Sequence, residues 1–390
     1  MLRRILNTEH SDFNLFHKKT LQEFYIGVYN KFNNDSFFSS EEFETIKSND
    51  KKRLSRVNYV PKYLNLVINE KSEFKKIELN TAEKGFIVNL KKYSDVKNYM
   101  LSQFGAKSRS KINSNLKRLE LCFNISYKFY YGSISKKEYD FLFKNLYSLI
   151  KKRFLEINKE HQAIKKWKQY VDSIYHMVLN KSASIFVIYD DEKPIDICIS
   201  YHFDNVVFNE IRSFDIDYSK FRLGYVDIYK QLEWCFEQGF DIFDLGMGEL
   251  RYKKEWCNVV YPFEHHVVFN KKKIINYLLI VITKIYVSIS KKIFEFKKKY
   301  ITKENIKNKF NIKNRYIVDD IYLEKFNSEK NTYLELDIEA ENNKHLRKCF
   351  YEFLYLNKNL KASTKIFKNI SNNKYIIKGN KKIKEIELVA

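Results

Sequence analysis

Apolar side chains recur at helical spacing through Tyr225, Ile228, Tyr229, Leu232, Cys235 and Phe236, while Asp227, Lys230, Gln231, Glu233, Glu237 and Gln238 fill the positions between them. The pattern predicts an amphipathic helix opened by Gly224. Gly239 supplies the left-handed residue that commonly ends a helix, and FDIFDL behind it alternates like a short strand. Upstream, the same periodicity predicts helices in YSDVKNYMLSQF, AKSRSKINSNLKRLELCF, KKEYDFLFKNLYSLIKKRFLEI and AIKKWKQYVDSIYHMVLN. Three β-rich runs follow, Ser184–Tyr189, Ile195–Phe203 and Val206–Ser213, and the DDEKP and FDN turns between them predict an antiparallel meander. NISYKFYYG and PFEHHVVFN add a strand before and after. Nearer the start, FNLFHKKTLQEFYIGVYNKF predicts a helix, SFFSSEEFETIK a second helix behind a Ser cap, YLNLVIN a strand and GFIVNL the end of a strand.

The segment KKKIINYLLIVITKIYVSISKKIFEFKKK stands apart. Asn276, Thr283, Lys284, Ser288 and Lys291 trace a narrow polar stripe beside a wide apolar face of Ile274, Leu278, Ile282, Ile285 and Ile289. Lysine flanks on such a helix suit an anionic lipid surface, and packing on the protein core explains the apolar face equally well. Beyond it, TYLELDI and KYIIKG read as strands and HLRKCFYEFLYLN as a helix, with no chemistry assigned. The chain thus divides into a mixed α/β part over 1–84, a central domain over 85–270, a basic helix over 271–299 and a basic extension over 300–390.

At 390 residues and 44% hydrophobic content, the chain is long enough for more than one packed unit. Lys and Arg number 71 against 48 Asp and Glu, giving a net charge of +23. That balance favours nucleic acid, anionic headgroups or a phosphate-rich substrate as partner. A biased coding background that enriches Lys, Asn, Ile, Tyr and Phe would produce the same excess. Cys122, Cys198, Cys235, Cys257 and Cys349 are scattered, odd in number and free of C-x-x-C pairs, as expected in a reducing compartment. MLRRILNTEH has no signal-like apolar core and no run of about 20 uncharged apolar residues occurs, so a cytoplasmic protein is expected, touching the inner membrane face through 271–299.

Candidate chemistry concentrates between Phe221 and Trp256. The Gly224 turn, at a helix start, presents free backbone N–H groups and the positive end of a helix dipole, which suit a phosphate or pyrophosphate. GMGELRYKKEW then offers two glycines and a basic aromatic run. His265 and His266 are adjacent on a strand, hence on opposite faces, and no metal site is expected. Cys257 has no evident base, and no Walker, G-x-S-x-G or Rossmann fingerprint is present.

These pieces, in order, resemble the GNAT acyltransferase superfamily, and more narrowly its CelD-like acetyltransferase branch, related to Fem-type peptidyl transferases. The residues that carry the resemblance are Asp215, the Leu223-Gly224 turn, Gly239, Asp244-Leu245-Gly246-x-Gly248, Glu249, Tyr252-Lys253 and Trp256, with Arg109, Asn113, Lys117 and Arg118 at the domain entry. It spans roughly residues 85–270. It implies an α+β fold with a central, mostly antiparallel sheet flanked by helices, here as a degenerate tandem arrangement with a basic C-terminal extension. It also implies acetyl-CoA or another acyl-CoA as donor, its pyrophosphate held at Arg222, Leu223, Gly224, Tyr225 and Val226 with Lys253 as the phosphate-facing cation. The chain departs from the family in keeping only Arg222 and Gly224 of a richer phosphate loop.

Acyl transfer to an amine needs a base for the ammonium proton and donors for the oxyanion. Glu210, Asp215 and Glu249 are the candidate bases, and Tyr252 is a candidate acid toward the thiolate. Arg109, Asn113, Asp244, Gly246 and Gly248 are candidate acceptor-binding residues. Structural alternatives stand beside them: Glu210 as an exposed strand position, Asp215 as a turn cap, Asp244 as an organiser of the LGMG loop and Lys253 as a surface lysine. Three functions follow. The first is an acyl-CoA-dependent N-acyltransferase acting on a small-molecule amine, an amino sugar or nucleotide-linked sugar of surface polysaccharide. The second is a Fem-type transferase using aminoacyl-tRNA. The third is a non-catalytic basic protein binding nucleic acid or membrane.

Overall fold

Residues 13–32, expected to form one helix, fold as a single helical turn and two strands. The reason lies in YIGVY, a β-branched and aromatic run centred on Gly27, whose missing Cβ leaves room for the Phe37 ring and the Phe38 carbonyl against the strand. The computed structural model describes residues 8–47, 54–69, 71–156, 162–308, 316–320, 332–370, 374–380 and 382–388. The chain opens with β1 (Thr8–Asp12), α1 (Leu15–Lys18), β2 (Thr20–Gln22), β3 (Tyr25–Asn30) and β4 (Ser36–Ser39). Ser39 caps as expected, in a capping box with Glu42, but only the 3-10 turn Ser40–Glu42 follows before β5 (Glu44–Ile46). β6 (Leu54–Pro61), β7 (Leu64–Ile68) and the long β8 (Phe74–Asn89) complete this part.

From there the periodicity was a reliable guide. The expected helices are α2 (Val96–Gln103), α3 (Ala106–Cys122) and α4 (Lys136–Glu156), while the one expected over AIKKWKQYVDSIYHMVLN is broken at Lys166 into the short α5 (Gln162–Lys165) and α6 (Trp167–Leu179); β9 (Ile125–Tyr130) lies between α3 and α4. The meander is β10 (Ala183–Asp190), β11 (Lys193–Phe203) and β12 (Val206–Phe214). The central helix α7 (Leu223–Gln238) ends at Gly239, whose φ is +76°, and leads into β13 (Ile242–Met247). α8 (Arg251–Trp256), β14 (Val259–Asn270) and α9 (Ile274–Asn308) follow. The C-terminal part contains β15 (Tyr316–Asp320), β16 (Tyr333–Leu336), α10 (Arg347–Asn357), β17 (Lys365–Asn369), β18 (Lys374–Lys378) and β19 (Ile383–Leu388).

The fold is mixed α+β, with mostly antiparallel sheets and helices packed on them. Its contacts do not follow the linear division at 84, 270 and 299. They form two units, each assembled from three segments. The first comprises Met1–Asp95, Ser200–Glu210 and Cys235–Phe310. Its strands run in the order β1-β6-β14-β8-β13, followed by the opening residues of β12. β12 and β13 are parallel and pair from Val206↔Ile242 to Phe208↔Asp244. Leu279 and Ile280 of α9 pack with Leu54, Val267 and Phe269 of this sheet.

The second unit comprises Val96–Ile199, Ile211–Trp234 and Asn311–Ala390. It holds β9, β10 and the opening residues of β11, a second sheet in the order β15-β19-β18-β17-β16, and helices α2 to α7 and α10. One apolar cluster joins Leu119 and Phe123, Tyr218 and Phe221, Leu223 and Val226 of α7, and Phe350, Tyr351 and Leu354 of α10. The region expected to be an appended extension therefore completes the core on which α7 begins.

One cross-strand pair in the first unit sets a strict steric requirement. Tyr261 of β14 lies opposite Gly85 of β8, and a Cβ on Gly85 would fall inside the Tyr261 ring. An aromatic laid over a strand glycine is a recognised way of covering bare backbone. Gly85→Ala is expected to cost about 1–3 kcal/mol through overpacking. Urea denaturation of Gly85→Ala, Tyr261→Ala and the double variant checks this: the double variant should lose clearly less than the two single losses added together.

Candidate functional site

β12 ends at Phe214, where Asp215 turns the chain by accepting the Asp217 amide at 3.2 Å and starting the 3-10 segment Ile216–Phe221. Arg222 closes that segment in the left-handed region, φ +54°, and α7 begins at the next residue. The Tyr225 N–H donates to the Arg222 carbonyl at 2.8 Å, while Leu223 and Val226 are fully buried. Arg212 of β12 donates to the Gly224 carbonyl and pairs with Asp227, which also accepts from Gln231. A Cβ on Gly224 would stand 2.9 Å from Arg212 Nη2 and 3.5 Å from the Phe214 ring. Glycine here serves close packing of the strand arginine against the helix start.

The turn therefore rests on a buried charge cluster. Asp227 is fully buried, and burial pushes its carboxyl up despite the opposing Arg212 guanidinium. Asp196, also fully buried, has no hydrogen-bond partner among the described residues. Burial, reinforced by the Asp227 charge, pushes its carboxyl well above the usual carboxylate range. Arg222 itself is exposed, beside the positive end of a 16-residue helix.

In the first unit, β13 breaks its register with β8 after Asp244, and Gly246 and Gly248 take φ of +71° and +104°. Asp244 is fully buried and accepts three hydrogen bonds: the Gly246 N–H at 2.8 Å, the Tyr63 hydroxyl at 2.8 Å and the Tyr261 hydroxyl at 2.6 Å. Burial pushes its carboxyl up to about 6, with the three donors and Lys253 opposing. Lys253 is also buried, and its ammonium donates to the Met247 carbonyl at 2.6 Å.

These placements correct the assignments of five residues. Asp215 is held by Lys152 at 2.6 Å and Lys193 at 3.3 Å. Burial would raise its carboxyl, but the two lysines outweigh this and hold it below the usual range, making it a turn cap and a poor base. Asp244 spends its oxygens on protein donors and is out of reach of an acceptor. Gly246 and Gly248 supply left-handed backbone for the bulge. Lys253, taken as the phosphate-facing cation, is committed to its own loop. Of the remaining candidates, Glu210 on β12 and Tyr252 on α8 are half-buried, and Glu249 pairs with Lys254 at 2.7 Å. Arg109 donates to the Phe104 carbonyl, and Asn113 is exposed on α3.

The sequence reading missed Arg212 and Asp196 and placed Asp227 and Gln231 on the outer face of α7, where both are buried. The available signal was their i,i+4 spacing among Val226, Ile228 and Leu232. Among the described residues one trio could hold a metal ion: Glu78, Glu264 and His266, with ligand atoms within 4.8 Å of one another. Lys62 already sits 3.1 Å from Glu264, and Lys76 lies 2.7 Å from Glu78, supplying the positive charge an ion would bring. Cys257 is half-buried and its thiol is pushed up by burial, the wrong direction for a nucleophile.

Residues 106–254, from α3 to α8, match the family described as Acetyltransferase (GNAT) domain. No curated protein matches the chain. Similar solved structures include FemX, at 10% identity over 56% of this chain and 72% of that one, with a TM-score of 0.39. A conserved protein of unknown function from Bacteroides thetaiotaomicron VPI-5482 is 9% identical over 57% of this chain and 71% of its own, TM-score 0.38. L-PGS from Bacillus licheniformis is 12% identical over 59% and 72%, TM-score 0.36. All three are distant likenesses.

The Asp244 cluster makes a pH-dependent contribution with a defined sign. Its folded pKa of about 6 lies above the ordinary 3.8, so the neutral acid stabilises the fold below about pH 4 and that contribution is lost as pH rises through about 6. The full swing is on the order of 3 kcal/mol. Asp244→Asn, which cannot titrate, should therefore be most destabilised relative to wild type near pH 4.5, with the gap narrowing by pH 7.5. Urea unfolding at both values tests it, and a gap that widens with pH would contradict the assignment.

Proposed function

We propose that this protein is an acyl-CoA-dependent N-acyltransferase whose acceptor is the amine of an amino sugar or nucleotide-linked sugar. The observation that carries the reading is the match of residues 106–254 to the GNAT domain family, a span that includes the β12-turn-α7-β13 sequence. Within it, the start of α7 offers the positive end of the helix dipole and the exposed Arg222 to the donor's pyrophosphate. Arg222 takes the part first given to Lys253, because it alone of the two presents its charge to solvent. The sugar clause rests on the resemblance to the CelD-like branch.

The reaction needs a neutral amine, which attacks the thioester carbonyl as its proton passes to a base; collapse of the oxyanion expels the thiolate. Glu210 is the base of choice. It is half-buried on β12, whereas Asp215, Asp227 and Asp244 are buried. Tyr252 is the candidate acid for the thiolate. The net charge of +23 favours one other donor, an aminoacyl-tRNA, whose phosphates would be held electrostatically.

Free thiol release from acetyl-CoA in the presence of amino-sugar acceptors tests the proposal. Arg222→Gly keeps the left-handed turn without strain and removes only the charge, so it should raise the donor KM about tenfold with unchanged thermal stability. Glu210→Gln should lower kcat by roughly a hundredfold or more with donor affinity retained. A protein that is not stabilised by any acyl-CoA, and that instead binds charged tRNA in a salt-sensitive way, is the aminoacyl-tRNA enzyme.

A further inference from the structure

Helix α9 is built with its polarity inverted. The face on β8 and β14 carries Asn276, Leu279, Ile280, Thr283 and Val287, all buried. Two of its polar groups donate locally, Thr283 Oγ1 to the Leu279 carbonyl at 2.7 Å and Asn276 Nδ2 to the Asn270 carbonyl at 3.0 Å, while Asn276 Oδ1 has no hydrogen-bond partner among the described residues. On the opposite face, Ile274, Leu278, Val281, Ile285 and Ile289 follow one another at three- and four-residue steps, with Phe296 two turns beyond, each at least half exposed. In the sequence, Asn276 and Thr283 looked like part of a solvent stripe. The fold turns them inward and leaves the aliphatic row outside.

A soluble surface rarely carries so long a continuous apolar row. What meets this one must be apolar at its centre and anionic at its borders, because the exposed Lys271, Lys273, Lys284, Lys292 and Lys297 run along and at both ends of the row. The residues Ile274–Lys297 are long and apolar enough to cross a membrane by length and composition, although Lys284 interrupts them. Crossing would strip Leu279, Ile280 and Val287 from the sheet they cover. Lying in the membrane plane keeps that packing and buries the outer row.

We propose that α9 docks the protein on an anionic lipid bilayer, its Ile274–Phe296 row sunk among the acyl chains and its lysines at the headgroups. The full chain is incubated with preformed vesicles of phosphatidylcholine, with and without phosphatidylglycerol, and sedimented. Binding should be at least tenfold tighter with phosphatidylglycerol and be released by alkaline carbonate. Leu278→Glu with Ile285→Glu should weaken it more than tenfold without lowering the Tm, since both side chains are exposed. Lys284→Glu with Lys292→Glu should abolish the preference for the anionic lipid and leave the Tm unchanged. Equal binding by the Glu variant, retention through carbonate, or a lipid-free dimer that the same Glu variant dissociates would each overturn the proposal, the last by showing that a second copy covers the row.

Discussion

A carboxylate withdrawn from water must be given donors, and in the first unit Asp244 recruits them from three separate stretches of chain. Leaving a buried charge unpaired costs several kcal/mol, so the Tyr63 hydroxyl, the Tyr261 hydroxyl and the Gly246 amide are close to obligatory. Each has a structural consequence. Tyr261 reaches Asp244 only by crossing Gly85, Gly246 must adopt a conformation that side chains rarely take, and the bulge after β13 is fixed as a result. The loop so formed places the Met247 carbonyl where the Lys253 ammonium binds it. A sequence that looks like a ligand loop is, in its interior, a loop that holds itself.

The second unit solves a similar problem with a different pair. Arg212 and Asp227 neutralise one another against the start of α7, and only a glycine at 224 allows the guanidinium to come so close. Below them, Phe350, Tyr351 and Leu354 of α10 share a core with Leu223 and Val226. The turn Arg222–Val226 is thus rigid on its protein side, with one charge left outward. Such preorganisation is what binding a diphosphate asks for, since donors that are already oriented lose little on ligand capture. It also separates the carboxylates by role: those at 215, 227 and 244 hold structure, and those at 210 and 249 are nearer the surface.

α9 shows the converse economy of burial. A helix in water places polar residues outside, but this one turns Asn276 and Thr283 inward, where each donates to a carbonyl within the protein, and exposes aliphatic side chains. The sheet covers the inner face, and the outer row is the one proposed to meet an apolar medium. Because the sheet contact is made within the first unit, attachment through the outer face leaves that unit's packing undisturbed.

The sequence by itself determined the helices from α2 to α7, the meander, the Gly239 stop and the strand character of FDIFDL, because periodicity and turn chemistry are local and every residue concerned lies within a few positions of its partners. It also marked the Arg222–Val226 turn and the unusual segment at 271–299. It misjudged residues 13–32, where strand pairing with distant segments overrode a helical pattern. Only the tertiary structure decided which of the marked carboxylates and cations are spent on the fold. Asp215 meets Lys152, Asp244 meets Tyr63, and Asp227 meets Arg212 through contacts that cross between strands and helices, and no local pattern specifies whether a polar side chain will find its partner in protein or in solvent. The same holds for α9: the alternation of its residues defines two faces, but which of them turns to the sheet is set by the surface waiting there.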